Sequence, residues 1–110
     1  MHTPWGESQR ITKIAEGIDF VSTAGHGGIH LSRPRAAEIK RMFPGFVPFT
    51  RSYNWWDEDC DFTVVMVAFP ECFDAEKVEV CRRRVMKDDY FKAVRDSLTF
   101  TDRCNTLLSD

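Results

Sequence analysis

The sequence predicts an α+β fold, in which a small antiparallel sheet (an N-terminal hairpin plus a short strand) packs against three to four helices. Three observations carry this. Period-two alternation around a glycine-marked turn stands near the N-terminus. Apolar residues recur at helical spacing after Ser32. Helix-capping aspartates then stand at Asp74 and Asp88.

Taken in order, Gln9 to Thr23 reads as a hairpin. Ile11 and Lys13, then Ile18, Phe20 and Ser22, alternate around Ala15-Glu16-Gly17, where Gly17 supplies the positive φ of a tight turn. Gly25-His26-Gly27-Gly28 reads as a flexible loop, and Ile29 to Leu31 as a short extended piece. Ser32 is an N-cap with Pro34 tolerated in the first turn. Ala36, Ile39 and Phe43 then share one helical face, and Pro44-Gly45 ends the helix. Phe46 to Asn54 contains Pro48, lacks a period and reads as loop. Trp55 to Phe69 is ambiguous: its valines favour strand, but Phe62, Val65, Met66 and Phe69 repeat at helical spacing. Asp57, Glu58, Asp59 and Asp61 crowd its start, where a helix dipole favours negative charge. The segment is therefore assigned as helix, ending before Pro70. Asp74 caps a helix whose apolar stripe is Val78, Cys81 and Val85, with Glu76 and Glu79 early and Arg82, Arg83, Arg84 and Lys87 late. Asp88 caps a last helix with an inner face of Phe91, Val94 and Leu98.

At 110 residues, the length suits one domain spanning 1–110. Charged residues at 29% and hydrophobic residues at 43% describe a globular rather than a disordered chain. Residues 1–54 carry seven Lys/Arg against four Asp/Glu, or +3; residues 55–110 carry eight against thirteen, or −5. Neither half has the basic excess of a nucleic-acid-binding face, so direct nucleic-acid binding is not expected. No apolar run reaches the roughly 20 residues that cross a bilayer, and Met1-His2-Thr3-Pro4-Trp5 lacks the pattern of an export signal. A cytoplasmic location follows as the expectation. Cys60, Cys72, Cys81 and Cys104 are then free thiols, and no two of them stand in C-x-x-C spacing.

Two stretches carry a resemblance. One is Thr3-Pro4-Trp5-Gly6 followed by Ser22-Thr23-Ala24-Gly25-His26-Gly27-Gly28-Ile29-His30-Leu31-Ser32. The other is Glu58-Asp59-Cys60-Asp61-Phe62 running into Ala68-Phe69-Pro70. Together they resemble a family of small domains of unknown function from phage, plasmid and other mobile-element proteins. That family brings no catalytic residues to carry over. Its genomic setting implies a role in the contest between invading DNA and host defence.

Three groups of residues are candidates for a site. Gly25, His26, Gly27 and Gly28 either gather backbone N–H groups around an anion or form a turn that needs glycine for its backbone angles. His26 with Ser22 or Cys60 offers a nucleophile–base combination, and none of these residues sits in a recognisable catalytic motif. Trp55, Trp56, Asp57, Glu58, Asp59 and Asp61 mix aromatic anchors with concentrated negative charge. They read either as a protein interface or as a helix start with core tryptophans. His26 and His30 with Cys60 or Cys72 offer metal-ligating atoms, but their spacing across a Gly-rich segment matches no recognised ligand pattern, so no metal is expected, and no cofactor motif is present. The expected function is a mobile-element-encoded interaction protein, an inhibitor of bacterial immunity of the anti-CRISPR or anti-restriction type. It would bind a host protein, for instance within a defence-system nucleoprotein complex. The alternative is a small enzyme or a nucleotide- or anion-binding domain built on the His26 loop.

Overall fold

A computed structural model of the chain describes residues 1–98. It has the expected α+β class, with a two-stranded and a four-stranded antiparallel sheet. Strands β1 (His2–Thr3) and β2 (Gly6–Glu7) form a hairpin not foreseen in the sequence. Its turn is closed by the buried Thr3, whose hydroxyl accepts from the Trp5 N–H (3.0 Å) and donates to the Gly6 carbonyl (2.7 Å).

The larger sheet has the order β3–β4–β5–β6. Strands β3 (Arg10–Ala15) and β4 (Ile18–Ser22) are the expected hairpin, and Gly17 turns it at φ 80°. Strand β5 (Gly27–Leu31) pairs with β4 on one side and with β6 (Trp55–Asp57) on the other. The expected flexible loop Gly25–Gly28 is thus corrected: Gly27 and Gly28 open a central strand. Neither has a positive φ. A Cβ on Gly28 would lie 2.4 Å from the Trp5 ring and 2.4 Å from the Trp56 carbonyl, so the backbone needs glycine there for close approach rather than for a turn.

Helix α1 (Arg33–Met42) starts as expected. The Ser32 side chain accepts from the Arg35 N–H, Pro34 lies in the first turn, and Ala36, Ile39 and Phe43 are buried. The segment from Trp55 to Phe69 is not one helix. Trp55–Asp57 is edge strand β6, and α2 spans Phe62–Ala68. The physical reason lies in Asp57. Its carboxylate accepts from the N–H groups of Cys60 (2.7 Å) and Asp61 (3.0 Å), building the turn that delivers the chain into α2. Helix α2 thus begins seven residues after Trp55, with Asp61 at its N-cap position but making no capping bond there.

Beyond a short 3-10 turn (Pro70–Cys72), α3 (Ala75–Lys87) is capped by Asp74, which accepts from the N–H groups of Glu76 and Lys77. The predicted stripe Val78, Cys81 and Val85 is buried. Asp88 caps the 3-10 turn Asp89–Phe91, and residues 92–98 continue as helix α4. Phe91 and Val94 are fully buried, and Leu98 packs against the core. The core joins the inner face of the sheet (Ile18, Ile29, Leu31, Trp56) to Ile39, Phe46, Val64, Val65, Val85 and Phe91. Each such aliphatic or aromatic side chain contributes about 1.5–3 kcal/mol by leaving water. No helix among the described residues is long and apolar enough to cross a membrane.

Cys60, Cys72 and Cys81 are free thiols, while Cys104 lies outside the described residues. Burial pushes the Cys60 and Cys81 thiols above their ordinary values, with the Arg84 charge opposing this at both. Thiol titration of the denatured, unreduced chain is expected to find all four cysteines. In the native state, iodoacetamide should modify Cys60 and Cys81 more slowly than Cys72. A titration that finds two thiols would show a disulfide instead.

Candidate interaction face

The sheet order brings together three segments that are far apart in sequence. Trp5 projects from the β1–β2 turn over Gly28 of β5. Its ring meets Trp55 of β6 edge-on at 5.8 Å and His26 at 5.4 Å, and His30 lies against Trp55 at 4.5 Å. The β5–β6 register accounts for the last contact, because His30 is the direct partner of Trp55. Trp5, His26, His30 and Trp55 are all half-buried.

At one end of this aromatic row, His26 Nδ1 stands 3.7 Å from Glu58 Oε1 and 3.7 Å from Asp59 Oδ2. Glu58 is placed by β-pairing, since its N–H donates to the Gly27 carbonyl. His26 is placed by Thr23, whose Oγ1 accepts the His26 N–H and donates to the His26 carbonyl. The result is a row of flat rings ending in two exposed carboxylates.

The predicted acidic-aromatic segment therefore divides. Trp55, Glu58 and Asp59 belong to this face. Trp56 is 1% exposed, and its indole N–H donates to the Tyr53 carbonyl in the core. Asp57 is used by the turn above. Asp61 is fully buried and accepts from the Phe49 N–H and the Tyr90 hydroxyl, both at 2.7 Å. Burial holds the Asp61 carboxyl above the usual carboxylate range, while its two hydrogen bonds act to lower it. Burial, followed by the bond to Asp61, pushes the Tyr90 phenol well up.

Among the described residues, His26 makes no hydrogen bond to Ser22 or Cys60. Cys60 Sγ instead accepts from Arg84, whose guanidinium also reaches the Asp59 carbonyl and Thr63 Oγ1. Of the three consecutive arginines, Arg82 and Arg83 are exposed, as expected of a solvated helix end, but Arg84 braces the turn below the acidic pair. Gly27 and Gly28 are paired within the sheet and do not form an anion-binding turn. No group of three or more His, Cys, Asp or Glu among the described residues is arranged to hold a metal ion. Trp5 is the member of the face that no site reading of the sequence includes, whereas His30 enters there only as a candidate metal ligand. A signal for Trp5 was present in the Thr3-Pro4-Trp5-Gly6 turn, and for His30 in its alternation with Gly28 along one strand.

The fold and this face define a small α+β domain that presents aromatic rings beside carboxylates. The chain belongs to the family described as a domain of unknown function, DUF7007, whose model matches residues 1–104. No curated protein and no solved structure matches it.

Proposed function

We propose that this chain is an interaction protein that acts by binding a host protein through the Trp5–His26–Trp55–Glu58–Asp59 face, as an inhibitor of bacterial immunity of the anti-CRISPR or anti-restriction type. The observation that carries the binding reading is the convergence of three separate segments into one half-exposed aromatic row that ends in two carboxylates. Large rigid rings lose little conformational freedom on binding and make effective anchors. Exposed carboxylates beside them speed encounter with a basic surface and set its orientation. A host protein surface that normally holds nucleic acid is such a basic partner. The resemblance to mobile-element domains supplies the anti-defence setting.

The test begins with capture of partners from a bacterial host lysate and identification by mass spectrometry. Affinity and stability are then measured together for Trp5→Ala, Trp55→Ala and Glu58→Gln/Asp59→Asn. The tryptophan variants that remain folded are expected to weaken binding by roughly tenfold or more. The neutralised pair is expected to slow association and to flatten its salt dependence, because attraction between exposed charges is screened within about 8 Å at physiological ionic strength. Affinity that survives in every folded variant would remove this face from the interface. A partner unrelated to defence would retain the binding reading and discard the inhibitor role.

A further inference from the structure

A second surface shares no residue with this face. The loop between α1 and β6 carries Phe49, which is 80% exposed, and Val47, which is 49% exposed. With Pro48, Arg51 and Tyr90 they line an open cleft of about 400 Å³. Exposed aromatics on loops ordinarily sit on mobile backbone, but the Phe49 backbone is held from below. The two oxygens of the buried Asp61 carboxylate hold the two sides of the cleft, one through the Phe49 N–H and the other through the Tyr90 hydroxyl. The Tyr53 hydroxyl bonds the Phe46 carbonyl, and Thr50 Oγ1 bonds the Trp55 carbonyl, so the loop is tied at both ends.

Arg51 has φ 63°, the single non-glycine residue with positive φ among those described. A left-handed backbone at a long side chain is a local cost that the surrounding bonds maintain. It follows a turn closed by the Arg51 N–H on the Pro48 carbonyl at 2.8 Å. The Arg51 guanidinium makes no ion pair with a described residue. Asp89, next to Tyr90, is already bonded to Arg95. The cleft therefore combines apolar side chains on a tied backbone with a cation that has no ion-pair partner among the described residues.

We infer that this cleft is a docking site for an extended segment of a partner protein that presents an apolar side chain next to a carboxylate. The apolar side chain lies between Val47, Phe49 and Tyr90, and the carboxylate meets the Arg51 fork. Charge complementarity selects this occupant. A basic segment would bring like charge to Arg51, and a purely apolar one would leave the guanidinium partly desolvated and unpaired. The site stands independently of the proposed immune target.

The test selects a phage-displayed random peptide library on the immobilised full chain, and the best peptide is then titrated by fluorescence anisotropy. The expected consensus is an apolar residue adjacent to Asp or Glu. Phe49→Ala, at a solvent-exposed position, should leave the melting temperature unchanged and weaken the peptide by roughly tenfold or more. Arg51→Gly should weaken it several-fold and raise or preserve the melting temperature, because glycine accepts the left-handed backbone. A purely structural role for Arg51 predicts unchanged affinity. Three outcomes overturn the inference: no enriched consensus of this chemistry, peptides indifferent to both variants, or peptides lost in Trp55→Ala or Glu58→Gln/Asp59→Asn but not in Phe49→Ala.

Discussion

Gly28→Ala is expected to destabilise the chain by about 3 kcal/mol, at the upper end of what overpacking a filled interior costs. The added methyl would sit 2.4 Å from the Trp5 ring and 2.4 Å from the Trp56 carbonyl. The two obstacles differ in kind. Trp5 rides on a two-stranded hairpin that can shift, whereas the Trp56 carbonyl belongs to the backbone of the adjacent strand. Trp5→Ala in the Gly28→Ala background should therefore recover part of the loss and leave the remainder, a non-additivity that a double-mutant cycle measures by chemical denaturation. Gly25→Ala is the control: nothing lies within 4 Å of its added methyl, so its effect should stay within about 0.5 kcal/mol. Equal costs at Gly25 and Gly28 would show that backbone freedom, not close approach, is what this segment requires.

The same residues show how much the sequence discloses. Local chemistry was legible wherever a single signal decides the structure. Gly17 turned the β3–β4 hairpin, Ser32 and Asp74 capped α1 and α3, and period-3.6 stripes identified the buried faces of both helices. The errors arose where the deciding partner is distant. Gly27 and Gly28 resemble a loop until β6 and Trp5 are placed beside them. Trp55–Asp57 resembles a helix start because its acids fit a dipole, whereas pairing with Gly28–His30, some 25 to 29 residues upstream, makes it a strand. The candidate face was half legible. Its acidic-aromatic segment and His26 were singled out, but that they meet depends on strand order, which no local pattern encodes. Asp61 illustrates the opposite mistake. It reads as one more surface acid in a charged run, yet it is wholly buried beneath a loop twelve residues upstream.

Asp61→Ala should accordingly lower stability by about 2–3 kcal/mol. It strands the Phe49 N–H, whose loss of a charged acceptor accounts for most of this, while Tyr90 is 44% exposed and its side chain can turn its hydroxyl toward water. Asp61→Asn keeps one acceptor for Phe49 and lets its amide donate to the Tyr90 oxygen, so it should cost less than about 1 kcal/mol. The pH dependence separates charge from hydrogen bonding. Burial raises the folded-state pKa of Asp61 above its unfolded value, so the folded chain binds the proton more readily. The contribution of this group is therefore most favourable at low pH and is lost as pH rises through the folded value. Between the unfolded value, about 3.9, and that raised value, the stability difference between wild type and Asp61→Asn should shift in favour of Asn as pH rises. Urea denaturation of both proteins across that range checks the slope. A difference that shifts toward wild type with rising pH would mean that the two hydrogen bonds outweigh burial and that the ionised carboxylate is the form the fold prefers. Tyr90→Phe tests the second arm. It removes one of the two bonds, so its cost should fall sharply in the Asp61→Ala background, and full additivity would show that the Asp61–Tyr90 contact does not hold the loop.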